Sequence, residues 1–440
     1  MKAEHAGAAL LLAVLVYFVY FTGRSIENSI DYTAIYVPHF HFLFESLGQG
    51  GIPWWNPYVG LGRPMMSDIH FGFLYPPTYL FALGEKPGLF LTIWLHSWLL
   101  WWGTRGLARE LGAARIFAFM AGIVVSLSGN YCGRMLSGML YFVFQEAYAP
   151  LILWLTIRLT GVWEWRRVGR LGLAVAAMFL CGNGHVFWII MVGAGLFLTG
   201  RLVCEHERPS AGEVVRGLGQ FAGAGVLCAA LVAFAWLPYL DLVQNSNRSD
   251  PTYEFAAFLS APPRLLGTVM AMPAGGFRVD WEQNFFVGCL WVMAGGLGCL
   301  RIPDARLRSL GIVTVFAGLY ALGAHTAVFR LFYHLVPGAD LFRIPPRMML
   351  LPTVALPVAG AVFASRMGEI RNVRFWVIGA GAGLVIWQAA LRWDSDPTRA
   401  FVPAGAAILS VILATLTLLA VPRASWKLTV AMVGFVSLVE

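Results

Sequence analysis

Charge is scarce in this 440-residue chain. Asp, Glu, Lys and Arg together make up 12% of it, about half of what a soluble domain carries. With 58% hydrophobic residues the chain also lacks the polar bias of a disordered protein. Cysteine is sparse, and Cys132, Cys181, Cys204, Cys228, Cys289 and Cys299 show no CxxC or CxxH spacing. That excludes a disulfide framework and a zinc site and leaves small apolar packing residues. No run of five Lys or Arg exists, so the formal charge of +8 does not point to nucleic acid. The 48 glycines follow no three-residue period, which excludes collagen. No Gly-x-Ser-x-Gly elbow or His-Glu-x-x-His run occurs, and hydrolase and metalloprotease readings lose their support. No internal repeat marks a secondary transporter.

What the chain has instead is long apolar runs, with a mean hydropathy of +0.69. Hydrophobic segments lie at 7–21, 89–102, 116–128, 139–155, 171–181, 186–198, 218–237, 285–300, 310–322, 348–364, 375–390, 402–420 and 428–439. A spanning helix needs about 20 apolar residues. The expectation is therefore an all-α polytopic membrane protein, 1–440 forming a single transmembrane domain of about 13 helices. The pair flanking Gly182–His185 is short, with a tight turn at Gly182, Asn183 and Gly184. Only Lys2 precedes the first run and no small-residue cleavage site follows it, so it reads as a retained span, not a signal peptide.

Basic residues recur in short connectors: Arg105, Arg109 and Arg115; Arg158, Arg166, Arg167 and Arg170; Arg201, Arg208 and Arg216; Arg301, Arg306 and Arg308; Arg366, Arg371 and Arg374; Arg423 and Lys427. The opposite set of loops is longer and carries most of the acids. The positive-inside rule then places the N-terminus in the cytoplasm. Three long loops, 24–88, 241–284 and 323–347, fall outside. Long ordered loops are usually functional, so chemistry is expected on the extracytoplasmic face.

The first loop contains Glu27 and Asp31, four residues apart, followed by Tyr32 to Phe44 with apolar residues at helical spacing and Pro38 within. This predicts an amphipathic helix in the membrane interface, bent near Pro38. Two carboxylates on one face can supply a general base and a cation ligand, or are solvated loop acids. Prolines (Pro53, Pro57, Pro64) and glycines (Gly50, Gly51, Gly60, Gly62) then shape an irregular loop. Trp54 and Trp55 within it either stack on a sugar or anchor the loop at the headgroups. Asp68 and His70 follow, and His39, His41 and His70 lack a metal spacing. Arg343 and Arg347, outside, run against the positive-inside trend. A lipid phosphate suits a guanidinium; a salt bridge to Asp340 or a snorkelling side chain serves equally. His185 reads as a packing histidine, and Asn247-Arg248-Ser249 matches the N-glycosylation tripeptide.

The order of these motifs resembles the YfhO-type bacterial membrane proteins of the GT-C glycosyltransferase superfamily. The resemblance rests on Asp31 with Pro38 and Phe40, on Gly51-Ile-Pro-Trp-Trp-Asn-Pro-Tyr58 with Gly62 and Pro64, and on Tyr75-Pro-Pro77. It continues through Trp236-Leu-Pro-Tyr239 to Ser246, Asn284-Phe-Phe-Val-Gly288, and Val336-Pro-Gly338 with Phe342-Arg-Ile-Pro-Pro-Arg347. It covers nearly the whole chain. Family members commonly have His-Pro-Gln where His185-Val186-Phe187 stands here, so no role is carried over to His185. They are also commonly longer, so the resemblance implies a shortened relative or a fragment.

The resemblance implies a transferase in the bacterial cytoplasmic membrane that moves a sugar from a polyprenyl-phosphate donor to an extracytoplasmic acceptor, a cell-envelope glycopolymer or glycolipid. Asp31 is expected as general base, with Glu27 and Asp68 as second-choice acids. Arg343, Arg347 and Arg248 are expected at the donor phosphate. Trp54, Trp55, Asn56 and Tyr58 are expected at the sugar or acceptor. No cofactor is implied, and a divalent cation is left open. The alternatives are a transporter or flippase of a lipid-linked sugar, for which an isolated intramembrane Glu146 is the main candidate, and a non-catalytic envelope scaffold.

Overall fold

A computed structural model describes residues 2–21, 26, 29–65, 67–159, 162–205, 210–246, 248–261, 268–269, 282, 284–382, 411–412 and 415. These residues are mostly helical. Helix α1 (Lys2–Phe21) is followed by a π-helical turn (Tyr32–Tyr36) that runs directly into α2 (Val37–Gly48). Next come a two-stranded hairpin, β1 (Trp55–Asn56) with β2 (Arg63–Pro64), and two 3₁₀ segments, Ile69–Phe71 and Pro76–Leu83. The chain continues as α3 (Glu85–Glu110), α4 (Arg115–Ser126), α5 (Gly129–Leu136), α6 (Leu140–Glu146), α7 (Ala149–Thr156), α8 (Trp165–Leu180), α9 (Gly184–Cys204), α10 (Ala211–Leu231) and α11 (Ala233–Gln244). It closes with α12 (Tyr253–Ala256), α13 (Cys289–Arg301), α14 (Ala305–Ala321), α15 (Ala327–Leu335) and α16 (Leu350–Arg366).

Among the described residues four helical stretches are long and apolar enough to cross a bilayer: Arg115–Leu136, Gly184–Cys204, Ala211–Leu231 and Pro345–Glu369. The expected segments at 402–420 and 428–439, and half of 375–390, lie largely or wholly outside the described residues. The run 139–155 was expected as one span and is two helices, α6 and α7. Pro150, in the first turn of α7, cannot donate to a helix continuing from α6. The turn expected at Gly182 is present: Gly182 takes φ +132°, and Asn183 Oδ1 accepts from the N–H groups of His185 and Val186 (2.9 and 3.0 Å), capping α9. Ser210 and Glu213 form a reciprocal capping box at the start of α10.

The chain forms two compact units. The first comprises Met1–Leu100, Arg134–Met191 and Val215–Thr252; the second comprises Trp101–Gly133, Val192–Val214 and Tyr253–Glu440. In the second unit α16 is buried on every face from Leu350 to Phe363, as its uniformly apolar sequence dictates. Its backbone is approached by α13 at two glycines. A Cβ on Gly295 would collide with the Leu356 carbonyl, and one on Gly298 with that of Ala359. Such close approach is how helices pack where lipid supplies no hydrophobic drive.

The first unit holds several buried polar groups in hydrogen-bonded chains and an ion pair. The Trp94 indole N–H donates to the Ala9 carbonyl (2.9 Å), joining α3 to α1. His96 Nδ1 lies 2.6 Å from the Thr92 carbonyl, which can only accept. Its Nε2 must therefore accept from the Tyr75 hydroxyl (2.7 Å). Tyr75 in turn accepts from Tyr148 (2.9 Å). Arg134 on α5 is ion-paired with Glu146 on α6, both side chains excluded from solvent, with the guanidinium 4.8 Å from the Phe142 ring centre. Glu146, expected as an isolated charge, therefore has a partner.

Candidate active site

The loop rich in proline and glycine folds as a hairpin, with Trp55 opposite Pro64 and Asn56 opposite Arg63. Asn56 is buried, and its Oδ1 accepts from the Tyr58 N–H (3.0 Å), an Asx-type turn. Gly62 has φ +104° and lies against the Trp55 indole, so a side chain there would strike the ring. Trp54, Trp55 and Tyr58 are exposed.

Pairing in this hairpin brings Arg63 to Asp68. Asp68 is buried and forms an ion pair with Arg63 (2.5 Å). Its Oδ1 also accepts from the His70 backbone N–H (3.1 Å) and from His70 Nδ1 (2.8 Å). Burial pushes its carboxyl up, but the His70 hydrogen bonds and the nearby cations outweigh burial and hold it below the usual range. Asp68 is thus a committed carboxylate.

Asp31 is built differently. It is half-buried on the helical turn that precedes the π-turn. Among the described residues no ion pair or hydrogen bond reaches its carboxylate, and burial raises its pKa. Five residues on, the buried Tyr36 hydroxyl accepts from the Tyr141 N–H (3.0 Å). Burial, with Tyr141, Asp31 and Asp68 as the charges it feels, raises the Tyr36 pKa well above normal. On α11, beyond Pro238, the Tyr239 hydroxyl is raised by burial and feels both Arg248 and Asp68. His39 stacks on Phe71 (3.5 Å between ring centres), its pKa lowered by burial while it feels Asp68 and Arg63.

Three of the expected residues, Asp31, Asp68 and Arg248, therefore share one polar neighbourhood in the first unit. Arg248 is linked to this group through Tyr239, and its backbone N–H donates to Ser246 Oγ (3.2 Å) within its own loop. Glu27 and Asn247 lie outside the described residues. Sequence reasoning did not single out Arg63, Tyr36, Tyr141 or Tyr239, and it considered His70 only as a metal ligand. The one local signal for His70 was its i+2 spacing from Asp68, the reach of an Asx turn.

Arg343 and Arg347 belong to the second unit and differ in their surroundings. Arg347 Nε lies 3.0 and 2.9 Å from the two carboxylate oxygens of Glu282, so Glu282, and not Asp340, is its acidic partner. Arg343 is exposed and lies 6.0 and 5.5 Å from the ring centres of Phe255 and Phe258. The next residue, Ile344, has φ +68°, a conformation costing a β-branched residue roughly 1–3 kcal/mol. Among the described residues no three His, Cys, Asp or Glu side chains gather as metal ligands.

No family model matches the chain, and no curated protein matches its sequence. Among solved structures it is similar to ArnT from Cupriavidus metallidurans bound to undecaprenyl phosphate, with a TM-score of 0.52 and 11% identity over 100% of this chain and 74% of that one. At that identity the likeness is one of fold alone: a mostly helical chain of ArnT-like architecture. YfhO-type membership is not distinguished by it.

Proposed function

We propose that this chain is a GT-C-type glycosyltransferase of the bacterial cytoplasmic membrane, taking a sugar from a polyprenyl-phosphate donor to a cell-envelope glycopolymer or glycolipid on the extracytoplasmic side. The observation that carries the proposal is Asp31. It is a half-buried carboxylate with a raised pKa and no described ionic partner, set in a polar neighbourhood with Tyr36, Asp68 and Arg248. A base needs an available lone pair and a pKa drawn toward neutrality. Asp31 meets both conditions, and Asp68 meets neither.

The reaction is direct displacement at the anomeric carbon. Asp31 takes the acceptor hydroxyl proton, an effect typically worth about 10²–10⁴-fold, and the lipid phosphate departs with the bonding electrons. Of the arginines expected at that phosphate, Arg347 is occupied by Glu282, whereas Arg343 stands beside aromatic faces with its guanidinium exposed. Of the two arginines of the second unit Arg343 is thus the more accessible, and Arg248 is the expected arginine that belongs to the same unit as Asp31. Trp54, Trp55 and Tyr58 offer exposed aromatic surface to a sugar, and Asn56 shapes the turn that presents them.

Reconstitution with a polyprenyl-phosphate-linked hexose tests this. The parent releases polyprenyl phosphate, and Asp31→Asn releases it at least about 100-fold more slowly. Equal release by the two proteins would remove Asp31 from catalysis. Movement of intact donor across the bilayer without cleavage would favour transport, a reading weakened by the pairing of Glu146 with Arg134. Thiol labelling at introduced cysteines beside Asp31 tests the extracytoplasmic placement; protection from an impermeant outside reagent in oriented vesicles overturns it.

A further inference from the structure

The transfer just described uses Asp31 and leaves a second acid–base group idle. Asp68 is buried and receives three interactions, two from His70 and one from Arg63. A ring whose Nδ1–H is held by a carboxylate exchanges protons only at Nε2. That Nε2 meets no hydrogen-bond partner among the described residues, and the His70 side chain is 36% exposed. The Arg63 side chain, bound to the same carboxylate, is 40% exposed. One buried acid thus presents two donors toward solvent, and both suit an oxyanion.

The groups around this dyad come from several elements. Tyr141, on the first turn of α6, stands edge-on to the His70 ring at 5.4 Å. Tyr36 on the π-turn feels Asp68 as well as Asp31, His39 on α2 feels Asp68 and Arg63, and Tyr239 on α11 feels Asp68 and Arg248. Asp31 reaches Tyr36 electrostatically, as Asp68 does, so the idle dyad and the proposed base belong to one neighbourhood.

We propose that Arg63 and His70, held by Asp68, form a phosphate-monoester subsite in which the His70 imidazolium protonates the departing lipid phosphate. The inference rests on the transferase reading. The acceptor oxygen bonds to the anomeric carbon and its proton passes to Asp31. The bond from that carbon to the phosphate oxygen breaks, leaving its electron pair on oxygen. The His70 Nε2 proton moves to that oxygen. Solvent then removes the proton from Asp31 and returns one to His70. Asp68 is a positioning residue throughout.

The test uses the full chain in phosphatidylcholine nanodiscs. His70→Gln keeps an amide donor near the Nε2 position without a transferable proton; His70→Asn keeps the contact with Asp68 alone. Thermal midpoints report whether each folds. With a polyprenyl-phosphate-linked hexose, His70→Gln lowers kcat about 100-fold and leaves the donor KM within about threefold. Parental kcat in His70→Gln overturns the proposal. If the parent releases no polyprenyl phosphate, the transferase reading and the proton step fall together. The subsite is then judged by binding of undecaprenyl phosphate followed by ³¹P resonance. At least tenfold weaker binding in Arg63→Gln and His70→Asn sustains it, and parental binding in both overturns it.

Discussion

Arg134 and Glu146 are joined in an ion pair from which solvent is excluded on both sides. It links α5 to α6 within the first unit. Removing one member of such a pair leaves an uncompensated buried charge and costs roughly 3–5 kcal/mol, whereas an apolar replacement of both is often neutral. Arg134→Met and Glu146→Leu alone are expected to lower the thermal midpoint in detergent sharply. The double variant recovers most of the loss. Additive losses in the double variant would show that the two charges do not depend on each other.

Asp31 is expected to trade stability against activity. Its raised pKa means that ionisation favours the unfolded chain. The penalty begins as pH rises through the ordinary carboxyl range and is complete above the folded value. Asp31→Asn removes it, so at pH 7 the variant unfolds at a higher temperature than the parent while its transfer rate falls. Measured near pH 3, where both states are protonated, the stability difference disappears.

Asp68 behaves in the opposite sense. Its lowered pKa contributes stability that is fully present above about pH 4, the unfolded carboxyl range, and is lost as pH falls through the folded value below it. Hydrogen exchange of the Trp55–His70 segment should accelerate on acidification below that range. In Asp68→Asn the segment should exchange faster at neutral pH and show little further acid response.

The hairpin depends on Gly62. At φ +104° an L-residue is strained, and its Cβ would occupy the space of the Trp55 ring. Gly62→Ala should displace Trp55 and loosen Arg63 from Asp68. Protection of the hairpin amides from exchange is expected to fall, with a global thermal midpoint close to the parent's because the helices of the first unit are untouched. Unchanged protection would mean that the turn tolerates a side chain.

Much of the architecture follows from local properties of the chain. Low charge and long apolar runs determine a helical membrane protein, since a backbone in lipid must satisfy its hydrogen bonds within its own segment. Pro53, Pro57, Gly60 and Gly62 determine a non-helical loop, which the fold closes as the short hairpin β1–β2, and Gly182 with Asn183 a turn and a helix cap, because each acts through its own dihedral angles or its nearest neighbours. Pro150 was equally visible, yet the hydrophobic run around it read as one helix; the break between α6 and α7 is the backbone rule prevailing over hydropathy.

Choice of partner was decided only in three dimensions. Tyr36 meets Tyr141 across 105 positions and Arg347 meets Glu282 across 65, distances at which nothing in the residues themselves names the other. Asp31 and Asp68 look alike as loop acids; one is half-buried without a described partner and the other is held by Arg63 and His70. A carboxylate's chemistry is set by the dielectric and the charges within a few ångströms of it, and those are supplied by whichever segments the fold brings there.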